Sequence, residues 1–223
     1  PMLAESWEFS PDGKQLTMKL RSDVVFQDGT KFDSSVVKAN IERGKTVDGT
    51  TVAADLAPIS SVETPDATTV VFNLSSGGAA LPITFATNVG MMISPKAMND
   101  GRDLKLEPGD AGSGPYRLVD FKPNEQTSFV RFEDYWDPDS VRCARIEWSI
   151  TPDSTTRFNA LQSGQIDAAV ISPQDDARAE SAGFHVVRRG GVEFFHVHLN
   201  RSYEPFADAD VRRALNHAID RQA

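Results

Sequence analysis

The stretch LAESWEFSPDGKQLTMKL, residues 3–20, decides how this chain begins to fold. Two arms in which apolar and polar residues alternate flank the turn sequence Pro11-Asp12-Gly13-Lys14. Alternation is the two-residue period of a strand, and a Pro-Asp-Gly segment is typical of a tight turn. The second arm places Leu16, Met18 and Leu20 on one face. The stretch therefore predicts an antiparallel hairpin with one buried face.

The same patterns predict further elements as far as residue 95. A second hairpin is indicated by two alternating segments on either side of the turn sequence Thr64-Pro65-Asp66-Ala67. The predicted elements of this part are a strand at Val24–Phe26, a helix capped by Asp33 or Ser34, hairpin arms at Ile59–Glu63 and Thr69–Leu74, and a strand at Met91–Ile93.

Beyond residue 115 the patterns predict a third hairpin and then a β-α-β unit with parallel strands. Gly164 stands where the residue after a helix belongs, between the helix and the second strand of that unit. Asp208 is placed to cap a last helix with an apolar stripe at Val211, Leu215, Ala218 and Ile219. The predicted strands are Tyr116–Phe121, Thr127–Phe132, Arg145–Ile150, Ile166–Ile171, Phe184–Arg188 and Val192–Leu199, and the helix of the unit runs from Asp153 or Ser154 through Leu161.

Composition limits the possible functions of the chain. Its 223 residues, 39% of them hydrophobic and 25% charged, are typical of a folded globular protein. The predicted mixture of strands and helices makes its fold class α/β (α+β mixed). The formal net charge of −9 repels phosphate backbones, and no cluster of Lys or Arg offsets it, so nucleic acid is excluded as a favoured partner. Cys143 is the only cysteine, which excludes an intrachain disulfide and a multi-thiolate zinc site.

Motifs that carry chemistry are scarce. Gly44-Lys45-Thr46 resembles the end of a phosphate-binding loop but follows a helix and lacks the earlier glycine. His196 and His198 lie two residues apart on a predicted strand, where they could bind a metal or line a groove. The 32 acidic residues provide carboxylate pairs by chance alone, so no catalytic pair can be selected. A metal- or carboxylate-dependent hydrolase therefore stays open as an alternative, without favoured catalytic residues, metal ligands or cofactors.

Short segments from the beginning of the chain to its end form an ordered set of landmarks. They are Leu3-Ala4-Glu5-Ser6-Trp7-Glu8, Val25-Phe26-Gln27-Asp28-Gly29-Thr30, Ser94-Pro95-Lys96-Ala97, Gly112-Ser113-Gly114-Pro115-Tyr116, Asp134-Tyr135-Trp136, Leu161-Gln162-Ser163-Gly164-Gln165-Ile166-Asp167 and Val211-Arg212-Arg213-Ala214-Leu215-Asn216. In this order they resemble family 5 of the bacterial extracellular solute-binding proteins, which serve ABC importers of peptides, nickel and other solutes.

This resemblance implies a type II periplasmic-binding-protein-like fold, of which the chain holds most of the first lobe. Residues 1–112 resemble the smaller subdomain of that lobe, 113–200 the larger subdomain, and 201–223 the entry into a second lobe that is otherwise absent. The shift to glycine, proline and charged residues before Gly112 supports a boundary there, and we expect Gly112 and Gly114 to act as a hinge. The implied protein is not an enzyme and needs no cofactor.

The resemblance also implies partners and a place of action. A small solute, most simply a peptide, is bound between the lobes by a monomer and is passed to an ABC permease in the membrane. We expect a periplasmic or cell-surface protein whose secretion signal or lipoprotein anchor is missing ahead of Pro1. By position we expect Asn88, Met91, Phe194, His196 and His198 to line the solute groove. A solute sensor or peptide chaperone stays open as a third function.

Overall fold

The computed structural model describes residues 2–189 and 197–220, and the chain divides into two units, Pro1–Asp153 and Ser154–Ala223. Two antiparallel sheets and short helices make up the first unit. In the second unit the described residues form helices and no strand. Gly112 lies in the first unit between the parts of the chain that form the two sheets, and the subdomain boundary near it stays a prediction.

The first sheet confirms both hairpins predicted before residue 75. Its strands stand in the order β1-β2-β4-β3 and run antiparallel. Leu16 pairs with Phe72, and Met18 pairs with Val70, so the alternating apolar residues meet on one buried face. The strands are β1 at Ala4–Phe9, β2 at Gln15–Leu20, β3 at Ile59–Asp66 and β4 at Thr69–Leu74.

Helix α1, at Ser34–Thr46, covers the buried face of this sheet. Asp33 is its N-cap, and its carboxylate accepts hydrogen bonds from the amides of Ser35 and Val36 at 2.8 and 3.1 Å. Ile41, 1% exposed, belongs to the core that α1 shares with the sheet. The shorter helices of the first unit are α2 at Ala53–Leu56, α3 at Leu81–Thr84 and α4 at Pro95–Asn99.

The second sheet of the first unit contains the third predicted hairpin and one more strand. Its order is β5-β6-β7 with antiparallel pairing throughout. The hairpin and the predicted strand that starts at Arg145 are confirmed. The strands are β5 at Tyr116–Lys122, β6 at Gln126–Arg131 and β7 at Arg145–Ser149.

The second unit contains the helices predicted after Ser154 and after Asp208. Gly164 follows the first of them with a φ of +74°, the left-handed conformation that glycine adopts at low cost. Val211 and Leu215, on the predicted apolar stripe, are 36% and 39% exposed. The helices are α5 at Ser154–Gln162, α6 at Asp176–Ser181, α7 at Glu204–Ala207 and α8 at Ala209–Ala218.

The parallel β-α-β prediction is wrong. Residues Ile166–Ile171 have the apolar content of a strand but form none, and Val170 is 77% exposed. Phe184–Arg188 also forms no strand, because its groups bond to α6 instead: the Phe184 amide donates to Ala179 O, and Arg188 pairs with Asp176. Apolar periodicity does not supply the neighbouring edge that a strand requires.

Three other strand or turn predictions need correction. Val24–Phe26 provides only an isolated pairing between Val25 and Lys31. Met91–Ile93 is not a strand. The second hairpin turns at Ala67-Thr68, later than predicted, because the Asp66 carboxylate accepts the Thr68 amide at 2.8 Å and closes the turn there. Of the strand predicted at Val192–Leu199, residues 192–196 lie outside the described residues and 197–199 are not in a strand.

Candidate functional site

Two predicted site residues, Asn88 and Met91, lie together in residues 88–93, which we call the Met91 segment. Asn88–Gly90 forms a single turn of 3-10 helix, and the Met91 amide donates to Asn88 O at 3.3 Å. Asn88 is exposed, and Met91 is 73% exposed. The segment therefore presents one polar and one large apolar side chain to solvent.

The first half of the Met91 segment is fixed by the core and by neighbouring backbone. Val89 is 7% exposed and belongs to the core, while the Thr87 hydroxyl accepts the Val89 amide at 3.4 Å. Gly90 allows a close approach that no other residue permits, since a Cβ there would lie 1.9 Å from the Phe85 carbonyl oxygen. The backbone just before Met91 thus has little freedom to move.

The second half of the segment is held by side chains from distant parts of the chain. Asn40 of α1 donates from Nδ2 to Ile93 O at 2.9 Å and accepts the Ile93 amide on Oδ1 at 2.9 Å. The next residue, Ser94, is fully buried, and its amide donates to Ala111 O at 2.9 Å. These bonds replace the sheet pairing that the predicted strand at Met91–Ile93 would have made.

Asp28 connects Ser94 to the turn after residue 26. Its carboxylate accepts the Ser94 hydroxyl and, at 2.9 Å, the Thr30 amide. Burial alone raises the pKa of Asp28, but the hydrogen bonds from Ser94 and Thr30 outweigh burial and hold the pKa of this carboxyl below its ordinary value. Asp28 therefore stays ionised and keeps Ser94 in place.

An apolar cavity of about 240 Å³ opens beside the Met91 segment. Gly90 and Met92 contribute to its wall, together with side chains of the first sheet and of the stretch around α3. Its other lining residues are Met2, Leu3, Ala4, Trp7, Met18, Leu20, Phe32, Val37, Phe72, Pro82, Phe85 and Ala86. The lining offers no charged group and so suits apolar contacts only.

The predicted hinge residues, Gly112 and Gly114, are both bonded to Gln27. The Gln27 amide donates to Gly112 O at 2.9 Å, and its side-chain Nε2 donates to Gly114 O at 3.1 Å. The same Nε2 donates to Tyr116 O at 2.8 Å, at the start of β5. One side chain thus connects the turn after residue 26 to the beginning of the second sheet.

The remaining predicted site residues belong to the second unit. Phe194 and His196 lie outside the described residues, and His198 is exposed. Across residues 2–189 and 197–220, no group of three His, Cys, Asp or Glu side chains is arranged to hold a metal ion. No helix in that part of the chain has both the length and the apolar character that a bilayer crossing requires.

Sequence reasoning missed Asn40 and Gln27. Asn40 carried a detectable signal, because it stands one helical turn after Val36 on the face of α1 that also holds Val37 and Ile41. A polar residue on an apolar face must find a buried partner. Gln27 carried no such signal, since its side-chain acceptors follow it by 87 and 89 residues.

The whole chain, residues 1–223, matches the family model described as "Bacterial extracellular solute-binding proteins, family 5 Middle". Among curated proteins, the glutathione-binding protein GsiB of Salmonella paratyphi A is 32% identical over 226 residues. That alignment covers 100% of this chain and 44% of the relative, so the chain spans less than half the length of the curated relatives it matches.

Solved structures with the same fold cover almost all of the chain. NikZ from Campylobacter jejuni in complex with Ni(L-His) superposes with a TM-score of 0.86 at 29% identity, over 99% of this chain and 45% of that one. AgaA of A. tumefaciens R10, in complex with agropinic acid, gives a TM-score of 0.79 at 30% identity, over 100% of this chain and 45% of that one.

Proposed function

Because the chain belongs to family 5 of the bacterial extracellular solute-binding proteins, we propose that its protein is the solute-binding component of an ABC importer. The protein captures a peptide or a similar small solute between two lobes and delivers it to a permease. Residues 1–112 and 113–200 form two subdomains of the first lobe, and residues 201–223 begin the second lobe. Gly112 and Gly114 form the joint between the two subdomains.

The Met91 segment is the observation that carries this proposal within the chain. An exposed apolar side chain is ordinary by itself, but the backbone is fixed on both sides of Met91, so this side chain is presented in a defined place. A thioether side chain adapts to ligands of different shape. Asn88 adds an amide that can donate and accept. Phe194, His196 and His198 are proposed to contact the solute from the last part of the lobe.

The relatives favour a solute with amino-acid chemistry. One is named a glutathione-binding protein, and another is solved with nickel bound to L-histidine. Glutathione is a tripeptide, and histidine carries the same amino and carboxylate groups. We therefore take a short peptide as the first solute to test. Its charged ends need polar partners, while its side chains suit Met91 and the apolar cavity.

The family description also bears on where the protein works and on the alternatives. The family consists of extracellular proteins, and we propose a periplasmic or cell-surface location with a lipoprotein anchor or a secretion signal. The relatives are named for binding and not for turnover, so a hydrolase is not favoured. The monomeric state and the permease partner are part of the proposal.

A thermal-shift screen of the protein in its full encoded length tests the proposed function. Glutathione, di- and tripeptides, nickel with histidine, and oligosaccharides are the probes. A solute that binds only the native state raises the melting temperature, and the stabilisation grows with the logarithm of one plus the ratio of its concentration to its Kd. We expect at least one peptide to raise the melting temperature and the oligosaccharides to leave it unchanged. If none of the peptides raises it, the proposed solute class is wrong.

A further inference from the structure

Asn40 stands out among the side chains that touch the Met91 segment, because it bonds to both backbone groups of one residue, Ile93. Its Nδ2 donates to Ile93 O and its Oδ1 accepts the Ile93 amide, both at 2.9 Å. Two strands exchange the same pair of bonds at one position of a ladder. The Asn40 side chain on α1 therefore makes the two hydrogen bonds that a neighbouring strand would make with Ile93.

The Asn40 amide is itself held in place. Its Nδ2 also donates to Val36 O, one turn earlier in α1, at 2.9 Å. This second bond fixes the orientation of the amide, so that nitrogen and oxygen face the carbonyl and the amide of Ile93 in the required order. The helix is in turn anchored by the core residues Val37 and Ile41, which are 5% and 1% exposed. The core therefore fixes the position of the Met91 segment, through α1 and Asn40.

Met91 lies between two fixed points. Gly90 on one side is confined by the Phe85 carbonyl, and Ile93 on the other is bonded to Asn40. A ligand that contacts a surface already in its bound arrangement pays less ordering free energy. The geometry therefore bears on affinity although Asn40 does not reach the exposed surface of the segment.

We infer that Asn40 is a positioning residue for solute binding: it holds the backbone of the Met91 segment in the arrangement that presents Asn88 and Met91 to the solute. This inference rests on the proposed function, because it assigns the segment a solute to bind. It adds a residue that makes no solute contact and acts through Ile93.

The test compares Asn40→Ala with Met91→Ala and with the double variant in the full-length protein, with glutathione as the probe. We expect Asn40→Ala to weaken glutathione binding about fivefold to tenfold, as the loss of preorganisation implies. The double variant should weaken binding by less than the sum of the two single losses, because both changes act in part through the Met91 contact. Asn40→Asp keeps the acceptor for the Ile93 amide but turns a carboxylate oxygen toward the carbonyls of Val36 and Ile93, so it should weaken glutathione binding at least as much as Asn40→Ala.

Asn99→Ala is the matched control. Asn99 also donates from Nδ2 to the carbonyl four residues earlier, Pro95 O, at 2.7 Å, but it is exposed and does not bond to the Met91 segment. Its loss should leave glutathione affinity unchanged. Hydrogen exchange at the Ile93 amide gives a readout that needs no solute, and we expect it to quicken at least about tenfold in Asn40→Ala and to stay unchanged in Asn99→Ala.

The outcomes separate the inference from the proposed function. Unchanged glutathione affinity in Met91→Ala, or no glutathione binding by the wild type, counts against the proposed solute site or probe and leaves the exchange experiment to decide on Asn40. If the Ile93 amide exchanges equally fast in wild type and Asn40→Ala, the inference is overturned. It is also overturned if Met91→Ala weakens binding while Asn40→Ala does not, or if the two changes simply add.

Discussion

Gln27 joins the turn after residue 26 to the start of the second sheet through three hydrogen bonds from one residue. Its Nε2 donates to the carbonyls of Gly114 and Tyr116, and its backbone amide donates to Gly112 O. A side-chain donor is required at this position, because both side-chain partners are carbonyl acceptors. Gln27, from the first half of the chain, therefore holds the joint proposed at Gly112 and Gly114 by hydrogen bonds to both glycines.

The exchange Gln27→Glu tests this residue with almost no change of shape. A carboxylate would face the carbonyl oxygens of Gly114 and Tyr116 and could not donate to either, and the loss of these two hydrogen bonds should cost about 1–3 kcal/mol in the free energy of unfolding. Urea unfolding measures the loss. Gln15→Glu is the control, since Gln15 is exposed and its side chain bonds only to Asn73 at the surface. A loss in Gln27→Glu no larger than in Gln15→Glu would contradict the assignment.

Asp28 makes the stability of the first unit depend on pH. The pKa of this carboxyl is lowered, as the bonds from Ser94 and Thr30 outweigh its burial. A lowered folded-state pKa stabilises the fold above the unfolded value, and this stability is lost as pH falls below about 4. The free energy of unfolding, measured from pH 6 to pH 2.5, should therefore fall less steeply in Asp28→Asn than in wild type. Equal slopes would show that Asp28 is not responsible.

Among the helices and strands, α1 supports the candidate site, because it holds Asn40 where that residue can bond to Ile93. The Asp33 carboxylate caps it by accepting the amides of Ser35 and Val36. Asp33→Ala should lower the free energy of unfolding by about 1 kcal/mol, as loss of an N-cap does. Asp48→Ala, which removes the same charge from an exposed position, should change it by less than about 0.5 kcal/mol. Chemical denaturation distinguishes the two, and equal losses would refute the capping role.

The elements that could be predicted from the sequence are those whose partners are close in the chain. The hairpin of residues 3–20 has both arms and its turn within one stretch, and α1 has its cap directly before it. Ile166–Ile171 has a strand-like pattern, but pairing depends on an edge that no local pattern reveals. Local information therefore identified the hairpins and helices and failed for the β-α-β unit.

The candidate site was predicted only in part for the same reason. Asn88 and Met91 were placed by their position in the chain, whereas their support comes from Asn40, 53 residues before Ile93. The apolar face of α1 indicates that Asn40 needs a polar partner, but only the tertiary fold shows that this partner is Ile93. All five groove residues, Asn88, Met91, Phe194, His196 and His198, remain predictions.

At the scale of the whole molecule, the chain corresponds to only part of the length of its relatives. It covers 44% of the relative named for glutathione and 45% of the structure solved with nickel and histidine. Under the proposed function, a solute held between two lobes contacts residues of both, so its affinity is expected to be a property of the full-length protein. We propose that the present chain contributes the Met91 segment and the adjacent apolar cavity to that site.

Calorimetric titration of the full-length protein with glutathione and with a set of short peptides, followed by analysis of the recovered solute, tests the central claim most directly. The account predicts that at least one peptide binds with a stoichiometry of one, is recovered chemically intact, and binds more weakly to Met91→Ala. Cleavage of the bound peptide would identify an enzyme, and the absence of binding by every peptide would exclude a peptide-binding protein. Either result would contradict the account.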